Sequence, residues 1–172
     1  MIALLLPIAL QTATPATPPP PPTPCASAEY RQFDFWVGSW EVTPNINGAA
    51  PVANSRIEKL YGGCGIRENW MPLNGTGGGS LNSYDPADGR WHQHWLDSSG
   101  VTVDFVGGMA GKEMVLTGWW KNIGGSGSHA LIRMRYNRQD DGSVRQHGEQ
   151  SLDHGLSWTT SFDFIYRPNS TQ

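Results

Sequence analysis

The stretch Trp91-His92-Gln93-His94-Trp95 holds the residue types best able to do chemistry. On a strand, side chains alternate, so His92 and His94 share one face and Trp91, Gln93 and Trp95 the other. Two histidines at i and i+2 can share a metal ion if a third ligand arrives, here from His147, Glu149 or Glu68. The spacing of these candidates matches no regular ligand pattern. The alternation reads more simply as two exposed histidines backed by an inward-facing Trp–Gln–Trp set. A single axial histidine for haem would be His147 or His154, and His154 sits in an Asp-His-Gly turn, where a side chain is expected to face solvent. The expectation is a protein without metal or other cofactor.

Two carboxylates come next. Glu68 shares a strand face with Ile66 and Trp70, and Glu149 shares one with Arg145, His147 and Ser151. If those faces point inward, both carboxyls lie among tryptophans, where burial raises their pKa and suits them to general acid–base work. Arg145 or Arg133 would alternatively pair with them as structural ion pairs, which is the preferred reading. No nucleophile has a recognisable setting. There is no Gly-x-Ser-x-Gly, and the Gly-Thr-Gly-Gly-Gly-Ser run at 75–80 lacks the lysine and following helix of a phosphate loop. The positive signal is aromatic: Trp70, Tyr84, Trp91, Trp95, Trp119 or Trp120, Trp158 and Phe162, interleaved with Asn82, Gln93 and Arg145, match the composition of a small-molecule pocket. Glu68, Trp70, Asn82, Tyr84, Gln93, Trp95, Arg145 and Glu149 are therefore the expected ligand-binding set.

The elements that must position these residues are strands. Short alternating segments such as NSRIEKLY, RWHQHWLD and VTVDFVG are separated by turn residues, with Asp-Pro at 85–86 and Asp-Gly at 88–89 and 141–142. About ten strands follow one another, with no sustained helical period beyond residues 28–37. The predicted fold is all-β: an antiparallel up-and-down barrel, because closing the meander removes its exposed edges. The Gly-rich stretches 74–79 and 124–128 would serve as mouth loops. A net charge of −3 and the lack of a basic stripe leave nucleic acid without an electrostatic footprint.

Residues 1–24 carry no charge. An apolar run at 2–10 precedes a proline-rich spacer, and the run is too short to span a bilayer. It reads as the core of a secretory signal, without the usual Lys or Arg near Met1. The domain then covers 25–168, with 169–172 as a disordered tail. All 21 glycines lie at or after Gly38, within the domain. Two cysteines, Cys25 and Cys64, favour a disulfide in an oxidising compartment. The expected location is the periplasm or exterior, without stable membrane insertion, as a monomer or weak dimer.

The motifs FDFWVGSWEV, GCGIRENW, SLNSYDPADGRWHQHWLDSSG, VRQHGEQSLDHGLSW and FDFIYR resemble, in order, the landmarks of an uncharacterised bacterial family of secreted, lipocalin-like (calycin-type) barrels. The resemblance covers about residues 25–167. It implies a calycin-like fold and carries no established activity. Gly148 departs from it, standing where an aromatic is usual, and so does His154, standing where a glycine is usual. The Gly148 departure would enlarge an internal space. In the wider calycin group a Gly-x-Trp packs its indole across the barrel floor under a basic residue from the last strand. Gly38-Ser39-Trp40 and Arg167 resemble that pair, with Phe33, Phe35 and Trp36 on a short helical turn as the cap. The expected role is binding of a small apolar or aromatic molecule inside the barrel. The alternatives are an isomerase or hydrolase using Glu68 or Glu149, and a filled structural or partner-binding barrel.

Overall fold

A computed structural model describes residues 24–169. The secretory-signal reading of the N-terminal segment and the tail beyond Asn169 lie outside the described residues. Ten strands form: β1 Gly38–Pro44, β2 Ala53–Leu60, β3 Gly65–Pro72, β4 Gly78–Asp85, β5 Arg90–Asp97, β6 Thr102–Ala110, β7 Glu113–Trp120, β8 Ala130–Arg138, β9 Val144–Ser151 and β10 Thr159–Pro168. Each pairs antiparallel with its neighbour in sequence, and β10 returns to β1, so the sheet closes as an up-and-down barrel. Closure leaves every strand paired on both sides, which is the physical reason a chain of short hairpins settles this way.

Antiparallel order gives the barrel two distinct ends. The turns after β2, β4, β6 and β8 lie at one end with the start of β1. The turns after β1, β3, β5, β7 and β9 lie at the other, and both Gly-rich stretches belong to this second end. The first end is stoppered by the segment before β1, which makes two short 3-10 turns, Ala28–Arg31 and Asp34–Trp36. Phe33 and Trp36 are completely buried. Their rings stack 4.8 Å apart, and each stands 4.9 Å from the ring of Tyr136 on β8. Burying side chains of this size contributes about 2–3 kcal/mol each.

Polar ties hold the stopper in place. Gln32 Oε1 accepts from the indole N–H of Trp91 on β5 (3.1 Å), and Lys59 on β2 pairs with Asp34 and donates to the Tyr30 carbonyl. Cys25 and Cys64 form the expected disulfide, closing a loop of sequence separation 39. A loop of that size removes enough denatured-state entropy to stabilise by about 4 kcal/mol.

Gly38 and Trp40 form the expected floor. Gly38 has φ +156°, and a Cβ there would lie 3.1 Å from the Trp40 indole, so only glycine lets the ring fold back against its own strand. The Trp40 indole N–H donates to the Trp36 carbonyl (2.9 Å), joining floor to stopper. Arg167 does not cover it. Arg167 stands opposite Glu41 in the β1–β10 register, on the outer face, and donates to Thr43 Oγ1 (2.6 Å). The inward neighbour on β10 is Tyr166, which meets the Trp40 ring edge-on at 6.4 Å. At the end of β10, Asn169 is tied back, its N–H donating to the Ser39 carbonyl (2.9 Å), so the chain is still ordered at this residue.

Candidate functional site: a polar-floored aromatic pocket

The unstoppered half of the barrel encloses a cavity of about 210 Å³. Strand alternation builds it from inward pairs two residues apart: Glu68 and Trp70 on β3, Gln93 and Trp95 on β5, Met134 and Tyr136 on β8. Phe105 on β6, Trp120 on β7, Gln146 on β9 and Phe162, Phe164 and Tyr166 on β10 complete the lining. In each β3, β5 and β8 pair one residue lies a step deeper than the other. The deep residues are mostly polar and the shallow ones mostly aromatic, giving a polar floor beneath aromatic walls.

The floor is one hydrogen-bonded network. Glu68 is buried, and its carboxylate accepts from Ser55 (3.1 Å), Ser80 (3.3 Å) and Tyr166 (3.5 Å). Tyr166 places its hydroxyl most closely on Gln146 Oε1 (2.6 Å), and the Gln146 amide donates to Tyr136 (3.0 Å). Asn82 donates to Ser80 and accepts from Gln93 (2.7 Å), whose amide also reaches Tyr136 (3.5 Å). The Tyr136 hydroxyl has only the thioether of Met134 to donate to, at 3.5 Å. Desolvation pushes the Glu68 carboxyl up to about 7, although the three hydroxyl hydrogen bonds oppose it. Burial together with the Glu68 charge raises both tyrosine hydroxyls well above the ordinary range. At neutral pH the floor therefore holds one carboxyl near its titration midpoint between two neutral phenols.

Several expected residues meet here, and others do not. Glu68, Trp70, Gln93 and Trp95 line the cavity, and Asn82 lies in the network beneath it. Tyr84 lies toward the stoppered end, edge-on to Tyr30 at 5.3 Å and beside Trp91, outside the cavity. Arg145 and Glu149 are on the outer face of β9. Arg145 grips Asp163 through two hydrogen bonds (2.8 and 2.7 Å), and Glu149 accepts from Arg133 (2.8 Å) and Arg135 (3.2 Å). Those arginines hold the Glu149 carboxyl below its usual value, the opposite of an activated acid. Strand β9 carries polar residues on both faces, so its period of two could not say which set points inward. It is Val144, Gln146 and Gly148 that do.

Gly148 corrects a second expectation. It does not leave empty space, because a Cβ there would lie 2.3 Å from the ring of Phe162, its partner across β9–β10. The register slips between Thr160 and Phe162, a bulge that aims Phe162 inward over the glycine. The glycine gives its room to an aromatic ring from the neighbouring strand.

The histidines face solvent as the alternation implied. His92 pairs with Asp88 (2.8 Å) and His94 with Asp104 (2.6 Å). Their proposed third ligands do not converge on them: Glu68 is inside the barrel, and His147 and Glu149 lie on β9, four strands away in the sheet. Asp85, Asp88 and His92 bring ligand atoms within 4.8 Å of one another on the exposed surface. The two aspartates already receive turn N–H groups from Ala87 and Arg90. His154 has φ +60°, which explains a preference for glycine at this turn, and packs against Trp119 rather than the cavity. His147 bonds Thr160 on the outer surface (3.0 Å).

Sequence reasoning missed Tyr136, Gln146 and Tyr166, which make the floor. The signal for Tyr136 was present: it shares parity with Ile132 and Met134 on an alternating strand. No protein-family model and no curated protein sequence matches this chain.

Proposed function

We propose that the protein binds a small apolar or aromatic molecule in the open half of its barrel. The observation that carries this reading is the asymmetry of the interior. One half is packed solid by Phe33, Trp36 and Trp40, while the other retains a cavity walled by Trp70, Trp95 and Trp120 above a hydrogen-bonded polar floor. A barrel serving only as a filled module would have no reason to leave that half open, since voids cost stability. Apolar walls with a few convergent polar groups are the usual make-up of a small-molecule site.

The closed ten-strand barrel and the sequence motifs together support kinship with secreted calycin-type proteins. The Cys25–Cys64 disulfide supports residence in an oxidising compartment such as the periplasm. No helix among the described residues is long and apolar enough to cross a membrane. The acid–base alternative rests on Glu68 alone, whose raised pKa near neutrality suits proton transfer. Glu149 has no part in it.

The test is titration of the full chain with toluene and 2-phenylethanol, following Trp emission. Three indoles line the cavity, so a saturable change in emission is the expected result. A strictly linear, unsaturable response to both probes would overturn the reading.

A further inference from the structure

Resting on the ligand-binding reading above, a narrower conclusion follows from the charge balance of the pocket. Among the described residues the part-buried strand carboxylates that form ion pairs do so with arginines: Glu58 with Arg56 and Arg67, Glu113 and Glu149 with Arg135, Glu149 also with Arg133, and Asp163 with Arg145. All of these lie on the outer surface. Glu68, the one fully buried carboxylate among the described residues, lies inside the barrel. Its partners are three hydroxyls, and no described Lys, Arg or His pairs with it. Among the described residues the titratable groups facing it are Tyr136 on β8 and Tyr166 on β10, both neutral; Ser55 on β2 and Ser80 on β4 complete its shell. A desolvated carboxylate without a counter-charge is costly, and the cavity beside it is the one direction from which a cation can come. The walls favour the same sign, because indole faces attract cations.

We propose that the pocket recognises a small amine carried on a single aromatic or apolar body, its ammonium ion set against Glu68 and its body against the indoles of Trp70 and Trp95. The cavity, at about 210 Å³, has room for one substituted ring and lies below the roughly 300–1,000 Å³ typical of drug-sized sites. The Tyr136 hydroxyl, with only a thioether to donate to, is available to a hydrogen-bond acceptor on the same ligand. An anionic ligand would meet like charge at the floor. A neutral one would leave Glu68 without compensation.

The experiment is calorimetric titration of the full chain with three probes of one shape: 2-phenylethylamine, 2-phenylethanol and phenylacetate. At pH 8 the amine should bind about tenfold or more tighter than the alcohol, the worth of one charge-assisted contact, and phenylacetate weakest. In wild type the amine's affinity should fall by up to about tenfold from pH 8 to pH 6 as Glu68 takes up its proton, while the alcohol's does not fall. Glu68→Gln should abolish the amine's advantage over the alcohol, and a cooperative thermal unfolding transition in the variant shows that the barrel survives. Equal or tighter binding of the alcohol or of phenylacetate in wild type would overturn the amine assignment while leaving the ligand-binding reading standing. Retention of the amine preference in Glu68→Gln, or a wild-type amine affinity that does not change with pH, would also overturn it. Failure of all three probes to bind would remove both readings.

Discussion

The two ends of this barrel use the same kinds of residue to opposite ends. At the stoppered end, aromatic rings from the segment before β1 meet rings from β5, β8 and β10, and Phe33 and Trp36 have no exposed surface at all. The indole N–H of Trp36 has no hydrogen-bond partner among the described residues, a small cost accepted inside dense packing. At the open end, Trp70, Trp95 and Trp120 are only partly covered, and no segment of the described residues descends between them. The Trp95 indole N–H is unpaired there as well, and in the same lining Glu68 is a carboxylate without a counter-charge, a far larger cost. An aromatic-rich interior is therefore neither a filled core nor a pocket by composition. The difference is whether a piece of chain is tied across the opening, and here the Cys25–Cys64 disulfide and the Gln32 and Lys59 contacts do the tying at one end only.

The sharpest way to break this comparison is Trp36→Ala. It should cost about 3–5 kcal/mol and lower Tm by roughly 10 °C or more, read by thermal unfolding under non-reducing conditions. A variant as stable as wild type would mean the stopper is ornamental.

Glu68→Gln should act in the opposite direction. The folded-state pKa of Glu68 lies near 7, above its ordinary 4.5. Its contribution to stability is thus fully present below about pH 4.5 and lost as pH rises through 7. The substitution should be worth up to about 3 kcal/mol more at pH 8 than at pH 4, measured as the variant-minus-wild-type difference in denaturant unfolding. A difference that does not change with pH would show that Glu68 is not desolvated.

Gly148→Ala tests the open end from another side. The new Cβ must displace Phe162, at a cost of about 1–3 kcal/mol, and the displaced ring should narrow the cavity and weaken 2-phenylethanol binding. Unaltered binding would show that the cavity does not depend on where Phe162 rests. The smallest effect belongs to Glu149→Gln, on the outer face, which should cost no more than about 1 kcal/mol by chemical denaturation and leave probe binding unchanged. Loss of probe binding in Glu149→Gln would return that residue to the site.

Much of this arrangement was legible before any coordinates. Period-two alternation gave the ten strands, and in β5 it assigned both histidines to solvent and Trp91, Gln93 and Trp95 to the interior. On β3 it grouped Glu68 and Trp70 with Ile66 on one face without deciding that the face points inward, as the structure shows it does. It failed on β9, where Arg145, His147 and Glu149 alternate with Gln146 and Gly148, and neither face is hydrophobic enough to declare itself. The resemblance, not the alternation, failed for Arg167, since an analogy between end strands says nothing about which side of the sheet a given residue occupies.

The sequence by itself determined the class of fold, the pairing of its two cysteines and the aromatic wealth of its interior. All three depend on local pattern: alternation, turn residues and composition. Only the tertiary structure decided which half of the barrel is full and which is hollow, that Gly148 makes way for Phe162, and that Tyr136, Gln146 and Tyr166 converge around Glu68. Those facts depend on register and closure, which bring together residues far apart in the chain, as in the Tyr166–Glu68 contact across 98 positions. Local pattern carries no information about which of many polar residues will meet across a closed sheet.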